Sequence, residues 1–115
     1  MQRPFDDMLR VSPAVYSKMV PMLEIEAFKH GYAIGLHGSM QRDLDIIAFP
    51  WIEESSSCLD LLNGVICTVG GTLVGRPFPK SHNRIGFCIG LSNNRIKSYI
   101  DFSVFLKLGD NSLCL

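Results

Sequence analysis

The chain has no excess of charge of either sign. Its 115 residues include 11 Lys or Arg and 11 Asp or Glu, so the formal net charge at pH 7 is zero. There is therefore no global electrostatic attraction to DNA, RNA or an anionic membrane, although a local basic cluster could still contact phosphates. Apolar runs long enough to cross a bilayer are also missing, so we expect no membrane association.

Cysteine motifs are missing as well. The chain contains Cys58, Cys67, Cys88 and Cys114, with no C-x-x-C spacing among them. The first three lie in apolar segments, which favours small buried hydrophobic residues over a zinc site or a disulfide framework. Residues 1–10 lack the basic-then-apolar order of a secretory signal. These absences predict a protein of a reducing, cytoplasmic compartment.

The composition is typical of one small globular domain. Hydrophobic residues make up 47% of the chain and charged residues 19%, which is enough to form a core. We predict a single domain over residues 1–115, with a helical segment at 1–30, a core at 31–105 and a tail at 106–115. The order of patterns is helix, strand, strand, helix, strand, strand, which indicates an α/β (α+β) domain with a mixed sheet and helices on one face.

Two helices have recognisable boundaries. Ser12, followed by a proline, is expected to start the first helix, Pro21 to kink or divide it, and Gly31 to cap its end. Serines at 55–57 offer N-caps for the second helix.

The C-terminal half reads as strands. A short edge strand is expected at 72–74, followed by a loop at 76–83 because that segment contains two prolines. Apolar runs at 84–91 and 96–105 then indicate a hairpin.

Segment 37–47 joins a Gly-Ser turn to an Asp-x-Asp pair at the start of an apolar strand. The turn Gly38-Ser39 would let backbone N–H groups approach phosphate oxygens closely. Asp43 and Asp45 are two residues apart on the strand, so their side chains point to the same side and can share a divalent cation. This spacing predicts a phosphate and magnesium site.

Asp101 is the anomalous residue of the last strand. Strand alternation places it on the face opposite Ile100 and Phe102. A carboxylate buried there without a partner would cost several kcal/mol, so it needs a cation, a hydrogen-bond donor or an open cleft. If this strand neighbours the one that starts at Asp43, three carboxylates converge, and one or two Mg²⁺ or Mn²⁺ ions would relieve their repulsion. A short aspartate pair alone is common in solvated loops, so the joint pattern carries the prediction.

Several basic residues are further candidates. Arg42 adjoins the carboxylates and could contact phosphate or merely balance their charge. Lys80, His82 and Arg84 form a local basic patch that could contact a substrate or acceptor, or else a solvated loop.

Together, the Gly-Ser turn, the Asp-x-Asp pair and Asp101 resemble the palm of the DNA-polymerase-β-like nucleotidyltransferase superfamily. More narrowly, the chain is similar to small phage and prophage proteins of that fold. The similarity is carried by residues 37–51, 82–84 and 99–104.

The resemblance implies roles for particular residues. Asp43, Asp45 and Asp101 would be the catalytic and metal-binding positions, and Gly38-Ser39 the phosphate turn. The implied reaction moves a nucleoside monophosphate from a nucleoside triphosphate to an unidentified acceptor, on protein or RNA, with Mg²⁺ or Mn²⁺. The implied location is the cytoplasm of a bacterial host.

Two alternatives stay open. One is a non-catalytic binding protein of the same fold, such as a phage-encoded inhibitor that docks on a bacterial defence complex; the short separation of three residues between turn and carboxylates favours it. The other is a self-associating protein, a homodimer paired through an exposed edge of the hairpin at 84–105.

Overall fold

Five strands and two helices form the described part of the chain, which covers residues 13–38, 43–91 and 98–112 of a computed structural model. In chain order the elements are α1 (Pro13–Lys29), β1 (Tyr32–His37), β2 (Leu44–Pro50), α2 (Cys58–Val69), β3 (Thr72–Lys80), β4 (Arg84–Gly90) and β5 (Tyr99–Phe105). The predicted α/β class with a mixed sheet is confirmed. Ser12, Ser39 and Arg42 lie outside the described residues.

The first helix is continuous over 17 residues, with Pro21 inside it. Proline removes one backbone hydrogen bond, but Tyr16, Leu23 and Ala27 are fully or almost fully buried on either side of it. Tertiary packing therefore holds the two halves together, and of the two expected outcomes, a kink or a division, the division does not occur. The helix ends at Lys29, and Gly31 follows as the predicted cap, with φ +80° and its N–H donated to the carbonyl oxygen of Phe28 at 3.0 Å.

The second helix has well-defined caps. The Ser57 side chain accepts a hydrogen bond from the N–H of Asp60 at 3.2 Å, and Gly70 ends the helix in the left-handed conformation. Neither described helix is long and apolar enough to cross a membrane.

The sheet has the strand order β1-β2-β5-β4-β3. Strands β2 and β5 run parallel, and the other three neighbouring pairs are antiparallel. The two strands that carry the predicted carboxylates are therefore direct neighbours in the middle of the sheet.

The two faces of the sheet differ in what covers them. On β2, Leu44, Ile46 and Ala48 are fully buried and share one core cluster with the buried residues of both helices. The residues that alternate with them point to the opposite side, which we call the open face. The residues on the open face include His37, Asp45, Ile47, Phe49, Phe78, Lys80, Arg84, Cys88, Asp101, Ser103 and Phe105.

The prediction of a loop at 76–83 is wrong for most of that segment, because β3 continues to Lys80. Proline is tolerated here since β3 is an edge strand, and its pairing with β4 is interrupted between Val74 and Phe78. The predicted edge strand at 72–74 is thus the first part of a longer one.

The hairpin at 84–105 does not offer a free edge. Strands β4 and β5 pair antiparallel as predicted, but β5 lies between β2 and β4, and β4 lies between β5 and β3. The prediction that two copies pair through an exposed edge of this hairpin is therefore wrong, because both sides of each strand are already paired. The edge strands are β1 and β3.

The cysteines differ from one another in burial. Cys58 is buried, as predicted. Cys67 is exposed, because it falls out of phase with the buried positions of α2. Cys88 is partly buried and lies on the open face rather than in the core.

Candidate functional site

Asp45 and Asp101 lie side by side on the open face. They are register partners across the parallel pair β2 and β5. Neighbouring strands are about 4.8 Å apart and partners point to the same side, so the two carboxylates face the same space. Strand alternation predicted the face of each residue, and the register now places the two on the same level of the sheet.

Asp43 precedes β2 and adds to the same negative field. Burial is the largest cause that raises the pKa of Asp45 above its ordinary value, and the charges of Asp101 and Asp43 raise it further. His37 and Lys80 act in the opposite direction. Burial, rather than the balance of the neighbouring charges, is therefore the main reason that the pKa of Asp45 is raised.

Gly38 is in close contact with the Asp45 carboxylate. It has φ +81°, and a Cβ at this position would lie 2.5 Å from Oδ2 of Asp45. Its backbone conformation therefore favours glycine, and any larger residue would also displace the Asp45 carboxylate. The predicted glycine turn thus borders the carboxylate site directly, whereas its partner Ser39 lies outside the described residues.

Lys80 is the basic residue that reaches the carboxylates. Its Nζ lies 3.6 Å from Oδ1 of Asp101 and donates a hydrogen bond to Oγ of Ser103 at 2.6 Å. Oδ1 of Asp101 is nevertheless buried without a hydrogen-bond partner among the described residues. The ammonium is close enough for an ion pair and too far for a good hydrogen bond.

The other two basic candidates point elsewhere. Arg84 donates to the backbone oxygen of Ser81 at 2.9 Å, and its guanidinium lies 5.6 Å from the ring centre of Phe105. His82 is exposed and its Nδ1 lies 3.1 Å from Oγ of Ser81. Arg84 and His82 therefore stabilise the turn between β3 and β4, and only Lys80 joins the carboxylate site.

Metal coordination fits two of the three carboxylates best. Within the described ranges no group of three or more His, Cys, Asp or Glu side chains is arranged to hold a metal ion. Magnesium, however, commonly uses one or two protein carboxylates and completes its shell with water and substrate phosphates. The two carboxylates face the same space, and Oδ1 of Asp101 has no hydrogen-bond partner among the described residues, so Asp45 and Asp101 are the pair that would hold such an ion.

The chain matches no protein-family model, and a search of curated proteins finds no match either. The functional argument therefore depends on the fold and on the geometry of the site.

Sequence reasoning did not place Lys80, Cys88 or His37 at the carboxylates. Lys80 and Cys88 both face Asp101, and His37 is the register partner of Asp45. Phe78 and Lys80 are two residues apart, which is the spacing of residues on one face of a strand. The neighbouring prolines nevertheless made the segment read as a loop. The burial of Cys88 raises the pKa of its thiol, with a further contribution from the charge of Asp101.

Proposed function

We propose that this protein is a metal-dependent nucleotidyltransferase of minimal size. It would move a nucleoside monophosphate from a nucleoside triphosphate to a hydroxyl group of a protein or RNA acceptor: the hydroxyl oxygen, on losing its proton, bonds to the α-phosphorus, and the α–β phosphoanhydride bond breaks to release pyrophosphate. The observation that carries the proposal is the register pairing of Asp45 and Asp101 on adjacent central strands, with Asp43 at the start of the same strand. Carboxylates held in this way are suited to divalent cations and phosphoryl chemistry.

Each of the three carboxylates, and the glycine beside them, has a part in this proposal. Asp45 and Asp101 would hold the cation that carries the triphosphate, with Asp101 also beside the acceptor hydroxyl, and Asp43 would add a third carboxylate just before β2. Gly38 keeps the chain close to Asp45, so a phosphate can approach without meeting a side chain. When bound, the cation supplies charge neutralisation for the phosphates and helps the hydroxyl to lose its proton.

The test separates binding from transfer. The protein is first titrated with Mg²⁺ or Mn²⁺ and each nucleoside triphosphate in a calorimeter. It is then incubated with labelled triphosphates and candidate RNA or protein acceptors. We expect label transfer by the wild type and its loss in Asp45→Asn, because removing one carboxylate charge removes a metal ligand. Absence of transfer with every metal and acceptor would refute the enzymatic proposal.

The ion pair of Lys80 with Asp101 favours a second candidate. A carboxylate with its own cation can serve a protein-binding surface without any metal. We propose, as the alternative, a non-catalytic binding protein of the same fold, such as a phage-encoded inhibitor of a bacterial defence complex. Capture of the same host complex by wild type and by Asp43→Asn/Asp45→Asn supports it; capture that requires both carboxylates counts against it.

Self-association is a separate question. A homodimer formed by strand pairing would have to use β1 or β3, the two edges of the sheet. Light scattering across a concentration series measures the mass in solution directly.

A further inference from the structure

The Lys80 side chain begins on an edge strand and ends near the centre of the sheet. Between β3 and β5 lies β4, which carries Gly86 at the crossing point. A Cβ on Gly86 would lie 2.8 Å from Cε of Lys80 and even closer to the ring of Phe78. A residue without a side chain thus leaves room for the lysine to reach Asp101.

The ammonium group of Lys80 is anchored by a neutral group. Ser103 accepts one of its three N–H donors at 2.6 Å, while the Asp101 oxygen stays 3.6 Å away. The side chains of Lys80 and Asp101 are 26% and 48% exposed, so parts of both are open to solvent although Oδ1 of Asp101 is buried. The ammonium therefore lies beside the carboxylate with donor capacity left for another acceptor.

We propose that Lys80 is a tethered counter-ion of the carboxylate site with two positions. In the metal-free protein its ammonium neutralises Asp101. When Asp45 and Asp101 hold a divalent cation with a triphosphate, the ammonium turns to a phosphate oxygen. This inference rests on the proposed function and names Lys80 as the residue that couples metal binding to triphosphate binding.

The charge of Lys80 should weaken the binding of the divalent cation alone and strengthen the binding of the triphosphate. A divalent cation beside Asp101 is repelled by an ammonium already close to that carboxylate. A phosphate oxygen on the same ion would lie roughly 3 to 4 Å from the Asp101 oxygen, because Mg–O distances are about 2.1 Å. The flexible lysine stem can follow that oxygen and donate to it.

The experiment measures both steps in Lys80→Met. Affinity for Mn²⁺ alone is measured by electron paramagnetic resonance, and affinity for MgATP by calorimetry. We expect Mn²⁺ to bind roughly two- to fivefold more tightly, since the partly exposed ammonium no longer competes for Asp101. MgATP should bind at least about fivefold more weakly, because a charge-assisted hydrogen bond is lost.

Matched variants separate charge from structure. Lys80→Arg keeps the charge and should stay near wild type, and Lys29→Met removes an equivalent charge from an α1 side chain that is 67% exposed, with no effect on either affinity. Ser103→Ala removes the anchoring hydrogen bond alone and should leave MgATP binding nearer to wild type than Lys80→Met does. Lys80→Gln replaces Lys80→Met if the latter does not fold.

Two results overturn the proposal in different ways. If wild type binds neither Mn²⁺ nor MgATP, the proposed function fails and the inference falls with it. If wild type binds both, but the loss of the lysine charge shifts the two affinities in the same direction or leaves them unchanged, the inference alone fails.

Discussion

Gly38 offers a sharp test of the site geometry, because strain and collision can be separated with other glycines. Gly38→Ala combines a left-handed backbone, φ +81°, with a Cβ that would lie 2.5 Å from the Asp45 carboxylate. Gly75 has φ +72° and open space around the missing Cβ, so Gly75→Ala introduces strain alone. Gly35 has neither feature, since its Cβ would lie 4.0 Å from the nearest atom, on Phe49.

The magnitudes follow from these geometries. An alanine in the left-handed region costs roughly 1–2 kcal/mol, so Gly38→Ala and Gly75→Ala should both lower the free energy of unfolding by about that amount. Gly35→Ala should stay within about 0.5 kcal/mol of wild type. The collision at Gly38 involves the far end of the Asp45 side chain, which can rotate away, so it adds little to the stability cost.

The collision instead affects Asp45 itself. Rotation toward solvent reduces the burial that raises the pKa of this carboxyl, so Gly38→Ala should lower that pKa toward its ordinary value. Gly75→Ala should leave it unchanged. Urea unfolding gives the stabilities, and carboxyl-carbon NMR titration in metal-free buffer gives the Asp45 pKa.

Equal Asp45 titration curves in wild type, Gly38→Ala and Gly75→Ala would refute the reasoning. Such a result would mean that the carboxylate does not depend on the glycine turn. If the glycine turn does control the carboxylate, Mn²⁺ affinity should fall in Gly38→Ala and persist in Gly75→Ala.

Three further substitutions test the charges and packing of the fold. Because the pKa of Asp45 is raised in the folded state, its ionisation lowers the free energy of unfolding as pH rises through that pKa. Asp45→Asn should therefore stabilise the metal-free protein at pH 7 and lose this advantage below the ordinary pKa of about 3.9. Urea unfolding across pH would measure the difference. Burial acts to raise the pKa of Asp110, but hydrogen bonds from Ser112 and from the first N–H of α2 lower it overall, so its contribution is present at neutral pH and lost as pH falls through the lowered value. Asp110→Asn should cost about 1 kcal/mol at pH 7, whereas the exposed Asp60→Asn should cost less than about 0.5; equal losses would contradict the capping role. Gly86→Ala should destabilise the protein by about 1–3 kcal/mol through overpacking beneath the side chains that cross β4, and thermal unfolding would measure it.

The parts of the site that strand alternation controls were predictable. In β2 and β5 apolar residues recur at every second position, so the faces of Asp45 and Asp101 followed from sequence alone. Alternation does not reveal which strands are neighbours or at what register. The pairing of Asp45 with Asp101 is set by the parallel contact of β2 and β5, which depends on how the whole chain packs.

The role of Lys80 was not predictable, for a different reason. Two prolines made its segment read as a loop, and proline usually does end a strand within a sheet. At an edge the missing N–H donor costs little, so the strand continues to Lys80. The Lys80 side chain crosses Gly86 because β3, β4 and β5 are neighbours in this order, and no local sequence pattern predicts that order.

The electrostatic cost of the open face favours a site that binds a ligand over a purely structural surface. Asp45 and Asp101 lie side by side, the pKa of Asp45 is raised, and an oxygen of Asp101 is buried without a hydrogen bond among the described residues. Each feature lowers the stability of the free protein, and an apolar pair in the same register would avoid the cost. Violations of this kind concentrate where a protein binds or reacts. Among the described residues Lys80 leaves this oxygen without a hydrogen bond, which is the cost that the proposed cation would offset.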